Sequence, residues 1–337
     1  MFAHEISMTV QASAGRIEAH DIEELQQVVE PWEVVMRQIS PGKLHARMDY
    51  VQVNGIVLYR ERWSHRLLAT GATPKGFFFF GGNASSKQRV GWCGVELGAD
   101  CLAFGRSSTE IDFVTPETEA HICLLVPEHL MLRYLGEELT TQGLANSRFL
   151  ACTRGAGAFL LQTMERILDK YWIQRDLLTH ERTRQALEWQ LMGCLVEFLL
   201  TRREESTAAC TRRAFRYRIV RRAIELCESV PQPISVPDLA DACGVSKRVL
   251  ELGFQETVRT TPSRLMRQSQ LNRVQRELRT ADRASVSVTE ILSRAGVSEF
   301  GRFAVEYKNL FGESPSTTLG REFVVPDRRL TDALART

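Results

Sequence analysis

The 337-residue chain, 44% hydrophobic and 25% charged, is long enough for two globular domains and has the composition of an ordinary folded protein. Its net charge of +2 is unevenly spread: from Thr211 onward 22 Lys and Arg face 15 Asp and Glu, a net +7, whereas the preceding part carries 21 against 26, a net −5. No apolar run reaches the ~18 residues of a membrane span, and MFAHEISMTV lacks a basic start followed by an apolar run, so the expectation is a cytoplasmic protein with neither a membrane segment nor a secretory signal.

Residues 1–20 show no clear pattern and are expected to be poorly ordered. HDIEELQQVVEPWEVVMRQI, residues 20–39, predicts a short helix with an acidic first turn, apolar Leu25, Val28 and Val29, and an interruption at Pro31. From Lys43 the period changes to that of strands. VQVNGIVLYRERW alternates around Asn54-Gly55, a strong hairpin signal. GFFFFGG, residues 76–82, reads as a buried strand whose Phe77–Phe80 rings are core. Trp92–Leu97, Cys101–Phe104, Glu110–Phe113 and His121–Val126 are further strand candidates. Short strands at this spacing predict a small barrel or sandwich. The overall class expected is α+β: a β-rich stretch 43–127 and a helical stretch 128–203 within an N-terminal domain 1–203, then an all-α C-terminal domain.

His45, His65, His121 and His129 are spread without a clustered motif and read as structural or surface residues, so no metal and no cofactor is expected. None of the eight cysteines forms a Cys-x-x-Cys pair or stands at zinc-finger spacing; they read as small buried hydrophobes in a reducing compartment, with Cys210 the most exposed thiol. No nucleophile–base pair or phosphate loop is seen, so no catalytic residue is assigned.

FLLQTMERILDKYW places Phe159, Leu160, Met164, Ile167, Leu168 and Tyr171 on one helical stripe. ERTRQALEWQLMGCLVEFLLTRR, residues 181–203, predicts a second helix with Leu187, Leu191, Cys194, Leu195 and Phe198 on a face. EESTAACTRRA, residues 204–214, reads as a linker. FRYRIVRRAIELCESV opens the C-terminal domain with a helix whose Arg216, Arg218, Arg221 and Arg222 are either a solvated face or phosphate contacts. The tail 321–337 has no strong pattern.

Between Ser235 and Leu319 one pattern is written twice. In PDLADACGVSKRVLELGFQETVRTTP and VTEILSRAGVSEFGRFAVEYKNLFGESP, Gly244 aligns with Gly296, Leu250 with Phe303, Phe254 with Tyr307 and Pro262 with Pro315. The second copy has one extra residue just after the glycine, so its turn should be longer. Each copy predicts helix, tight turn, helix: the glycines take positive φ at a helix end, and Ser246 and Ser298 follow as N-caps. A helical run from Pro262 to Leu278 joins the two units. This is the helix-turn-helix plan, whose second helix enters the major groove of DNA.

Residues 215–320 resemble the DNA-binding domain of AraC/XylS-family bacterial transcription regulators, most specifically in GRFAVEYKNLFGESP. Gly253, inside the first recognition helix, and Val297, where the family usually has phenylalanine, depart from the pattern. PGKLHARMDYVQVNGIVLYRER, together with the closing signature, is similar to the branch containing the regulator of ethanolamine-utilisation operons. The resemblance implies a cupin-like β-barrel sensing an unidentified small-molecule effector, a homodimer formed through the helices before the linker, and an activator with RNA polymerase as a partner, in the family manner.

The turn of each recognition helix nearest DNA is expected to present Ser246, Lys247, Arg248, Glu251 and Gln255 from the first unit, and Ser298, Glu299, Phe300, Gly301, Arg302 and Val305 from the second. Arg248 has the geometry to bond guanine O6 and N7, Glu251 to accept from cytosine N4, and Phe300 to touch a thymine methyl. Val249, Leu250, Phe254, Phe303 and Tyr307 should face inward. Two other readings are a thiol- or alkylation-sensing DNA-binding regulator, disfavoured by unpaired cysteines, and a barrel enzyme with an attached DNA-binding domain.

Overall fold

The structure, a computed structural model, describes residues 12–29, 32–83, 90–97, 101–115, 120–141, 149–152, 155–203, 208–229 and 234–321. It opens with β1 (Ala12–Ala19), α1 (Ile22–Val28) and β2 (Glu33–Gln38). Two expectations are corrected here. Residues 12–19 form an ordered strand, and the helix predicted across residues 20–39 ends at Val28. Asp21 caps α1 by accepting the Glu24 N–H at 2.9 Å. EVVMRQ, beyond Pro31, is extended and pairs along its whole length with another strand, a long-range contact invisible to local periodicity.

There follow β3 (Ala46–Val53), β4 (Ile56–Trp63), β5 (Leu67–Ala72), β6 (Phe77–Asn83), β7 (Val90–Trp92), β8 (Val95–Leu97), β9 (Cys101–Gly105), β10 (Glu110–Val114) and β11 (Ala120–Pro127). The β3–β4 hairpin turns at Asn54 and Gly55, with φ of 48° and 84°, as the sequence predicts. The segment Trp92–Leu97, expected as one strand, is instead split by a second tight turn at Cys93 and Gly94, with φ of 46° and 77°.

The N-terminal part closes with α2 (Glu128–Thr141), β12 (Phe149–Cys152), α3 (Ala156–Ile173), α4 (Glu181–Thr201) and the short β13 (Arg202–Arg203). Then come α5 (Ala208–Ser229), α6 (Val236–Ala242), α7 (Lys247–Thr257), α8 (Pro262–Thr280), α9 (Val288–Arg294), α10 (Phe300–Phe311) and α11 (Pro315–Gly320). Helical backbone thus begins inside the stretch read as a linker; residues 204–207, the side chain of Cys210 and the tail from residue 322 lie outside what is described.

The strands form two antiparallel sheets, ordered β1-β3-β4-β11-β6-β9-β12-β13 and β2-β5-β10-β7-β8. Among the described residues no pairing joins the first strand of either sheet to its last, so the expected cupin-like barrel is not formed. The N-terminal domain is a mixed α+β unit built on two open sheets. Closure is unnecessary because layering buries both faces of the large sheet. Phe78, Phe80, Ile122, Leu124 and Val126 pack with Leu160, Met164 and Leu191 of α3 and α4, while Phe77, Phe79, Cys123 and Leu125 pack with Met36, Ala69 and Phe113 of the small sheet. The two-residue alternation that sets this out is the strand period itself. On α3 the predicted stripe holds except at Phe159, which is exposed.

Candidate nucleic-acid interface

The two helix-turn-helix units follow the repeated pattern closely. Gly244 and Gly296 have φ of 68° and 71°, a backbone that side-chain-bearing residues rarely adopt. Leu250 and Phe254 of α7, and Phe303 and Tyr307 of α10, are fully buried. Val249 is only half-buried. Leu239 and Ala240 of α6, and Ile291 and Leu292 of α9, supply the opposing sides. Pro262 and Pro315 each stand in the first turn of the next helix, behind N-caps Thr261 and Ser314, which accept from the N–H groups of Arg264 and Thr317.

Ser246 caps α7 by accepting the Val249 N–H at 3.4 Å. Ser298 does not cap α10: the N-cap is Glu299, without a side-chain hydrogen bond. The extra residue after Gly296 accounts for the difference, since it lengthens the second turn and moves the cap one position on. Gly253 also has a structural reason. A Cβ there would lie 3.1 Å from Val220 Cγ2, so the glycine lets α5 pack closely on α7. Val297 is buried in the second unit's core.

All eleven predicted contact residues, Ser246, Lys247, Arg248, Glu251, Gln255, Ser298, Glu299, Phe300, Gly301, Arg302 and Val305, are exposed on the outer faces of the two units. Their side chains differ in readiness. Lys247 lies 3.8 Å from Glu251, and Arg302 donates to Glu306 at 3.0 Å and sits 3.5 Å from Glu299. Arg248 has no ion-pair partner among the described residues. Glu306 is in turn held by Arg267 of α8, whose guanidinium stacks 4.9 Å over Phe303. A hollow of about 340 Å³ opens between Arg267, Gly296, Ser298 and Arg302.

The α8 helix does more than bridge the units. It also meets the N-terminal domain, a role the sequence does not signal. The side-chain amide of Asn272 accepts the Gln38 N–H at 2.9 Å and donates to the Gln38 carbonyl at 3.0 Å, standing where a neighbouring strand would along the edge of β2. Gln268 donates to the Ile39 carbonyl at 2.8 Å. Gln38 donates to the Leu310 carbonyl of α10 at 2.7 Å, so the same strand end touches the second unit. Arg279, wholly buried, has Nε 2.8 Å from Asp21 and donates to Glu24 at 3.3 Å. Ile39 and Leu68 enter the core of the first unit.

A cleft of about 460 Å³ lies along this seam, between β2, α5 and α8, lined by Val35, Arg37, Cys227, Met266, Arg273 and Arg276 among others. Burial pushes the Arg37 guanidinium down to about 10. The space between the two sheets, by contrast, is filled by Tyr59, Trp63, Phe79, Trp92 and Phe113.

The geometry defines a double helix-turn-helix unit, and comparison with known proteins agrees. The family described as HTH_18, helix-turn-helix domain, matches residues 239–321. The probable thc operon regulatory protein of Rhodococcus erythropolis is 44% identical over 102 residues, covering 30% of this chain and 31% of that protein. XylDLEGF operon transcriptional activator 2 of Pseudomonas putida is 36% identical over 92 residues, 27% of this chain and 59% of that protein. A transcriptional regulator with an AraC-type DNA-binding domain from Chromobacterium violaceum is 30% identical over 31% of this chain and 90% of its own, with a TM-score of 0.29. The likeness is to transcriptional regulators of AraC/XylS type, in the helix-turn-helix region; it singles out no branch. These similar proteins are named as regulators, and no helix among the described residues is long and apolar enough to cross a membrane.

Proposed function

We propose that the protein is a sequence-specific transcription regulator of the AraC/XylS type, an activator working in the cytoplasm with RNA polymerase, that reads double-stranded DNA through α7 and α10 and responds to a small molecule. The observation that carries this reading is the pair of helix-turn-helix units joined in series by α8, with both outer faces exposed. At ~1.5 Å per residue the 19 residues of α8 span roughly 28 Å. With the helix widths added, that suits two successive major grooves on one DNA face, ~34 Å apart. The two faces differ, Lys247-Arg248-Val249 against Glu299-Phe300-Gly301, so one chain should read an asymmetric site.

Selecting sites from random DNA and footprinting the full-length protein tests this. Two protected grooves with unrelated sequences support it; a single groove, or a palindrome bound by one chain, overturns it. Arg248→Ala should weaken specific binding by about 1–3 kcal/mol and relax preference in one half-site. Arg302→Ala should cost less, because its guanidinium gives up Glu306 before it meets a base. Equal affinity of the Arg248→Ala variant for the selected site would remove that residue from the contact set.

The effector site in this reading is the seam cleft. Its volume falls in the range of small-molecule pockets, and its arginines suit an anionic ligand. Homodimerisation belongs to the same reading and rests on α4, whose Trp189 is 64% exposed while Leu191, Leu195 and Phe198 are buried against the large sheet. Trp189→Glu should shift the sedimenting species from dimer to monomer with folding intact; an unchanged dimer would place the contact elsewhere.

A further inference from the structure

Three metal-ligating side chains of different chemistry converge in the layer between the two sheets. Glu61 on β4 and His121 on β11 are cross-strand partners, and Cys123 lies two residues beyond His121 on the same face. All three are buried, with 7%, 3% and 2% of their surface exposed. One ligand atom from each lies within 4.8 Å of the others, and Cys123 Sγ is 3.0 Å from His121 Nδ1. The other ring nitrogen, His121 Nε2, is buried without a hydrogen-bond partner. Buried polar atoms are almost always satisfied, and this imidazole nitrogen is an exception that calls for an account.

We propose that Glu61, His121 and Cys123 form a binding site for a single divalent ion of the zinc class. A thiolate, an imidazole and a carboxylate are the donor set that zinc takes in proteins, and hard ions such as magnesium or calcium avoid sulfur. Bond lengths of about 2.0–2.3 Å to a common ion place tetrahedral donors roughly 3.3–3.8 Å apart, so these side chains need only small adjustments. Charge favours the same conclusion. Ionised Glu61 and Cys123 carry two negative charges, which a divalent ion cancels in a layer where no cation pairs with Glu61 among the described residues. Binding therefore releases the carboxyl and thiol protons to water.

The surroundings fit a held site. The His121 ring packs against Phe113 and Trp63, at centroid distances of 4.7 and 6.2 Å, which restricts its orientation. Tyr59, paired with Cys123 across the strands, brings its hydroxyl to the sulfur. The layer is otherwise filled by Tyr59, Trp63, Phe79, Trp92 and Phe113, which leaves no space for an organic ligand beside the three donors.

Zinc and cobalt titrations of the full-length protein, after chelator treatment and gel filtration, test the proposal. Wild type should bind about one equivalent of Zn²⁺. Cobalt in its place should show a thiolate-to-cobalt charge-transfer band. Cys123→Ala should lose that band and weaken binding at least about 100-fold, more than removal of a supporting residue does. Glu61→Gln, which keeps shape and thiol, should weaken binding while retaining a band, and it decides the matter if Cys123→Ala fails to fold by circular dichroism. Cys227→Ala, at the seam, should leave both unchanged. A wild-type stoichiometry near zero, a band that survives Cys123→Ala, or one that vanishes in Cys227→Ala overturns the site.

Discussion

Replacing Arg279 by methionine is expected to destabilise the protein by about 3–5 kcal/mol, because it leaves Glu24 buried without its cation and Asp21 with only the partly exposed Arg321. The side chain is wholly enclosed, so little solvent screening reduces the effect. The Nε–Asp21 contact is close but not aligned as a hydrogen bond, so most of the stabilisation is charge compensation shared with Glu24 and with Arg321, 3.3 Å from Asp21. Thermal unfolding and limited proteolysis of the variant should show a lowered midpoint and early cleavage between the two domains. A midpoint equal to wild type would mean that the pair contributes nothing to docking.

The second large effect concerns Glu23, which stands between Asp21 and Glu24 in the chain. Burial, and then the neighbouring Asp21 charge, push its carboxyl from 4.5 up to about 7, against the opposing pull of Arg276 at 3.9 Å. A carboxyl whose folded pKa is raised favours the folded state below its unfolded pKa, and that advantage is lost as pH rises through the folded value. The difference between 4.5 and about 7, at about 1.4 kcal/mol per pH unit, amounts to roughly 3–4 kcal/mol. Wild type should therefore lose stability, relative to Glu23→Gln, between pH 4.5 and 7 and remain below the variant at pH 8. Unfolding curves from pH 4 to 8.5 check this; parallel pH profiles would show that Glu23 ionises freely in the folded protein.

The double helix-turn-helix was legible in the sequence because each unit is held by contacts a few residues apart. Gly244 and Phe254 in the first unit, and Gly296 and Tyr307 in the second, recur at spacings that differ by a single residue, and the backbone and core demand them there. The Asn54-Gly55 hairpin was legible for the same reason. The path of β2 was not, since EVVMRQ follows a helical stretch and becomes a strand only by pairing with β5. Nor was sheet closure, because strand period reports which residues face inward and says nothing about whether the ends meet. The seam was hidden more deeply. Gln268, Asn272 and Arg279 look like the solvated face of a basic helix, and their partners Gln38, Ile39, Asp21 and Glu24 lie more than 200 residues away. The group Glu61, His121 and Cys123 was missed because the histidines were read along the chain, and only the β4–β11 register brings a glutamate beside one of them.

Asn272 occupies the place of a missing strand, and that has an asymmetric consequence should the two halves ever part. The C-terminal half would turn Gln268, Asn272 and Arg279 toward water, together with the apolar side chains that Ile39 and Leu68 now cover. The N-terminal half would bare the end of an edge strand whose main-chain N–H and C=O groups at Gln38 then lack a partner. Open strand edges recruit other strands. The helix that joins the two helix-turn-helix units thus also covers an open strand edge, and a shortened chain ending before α8 would be the form prone to clump.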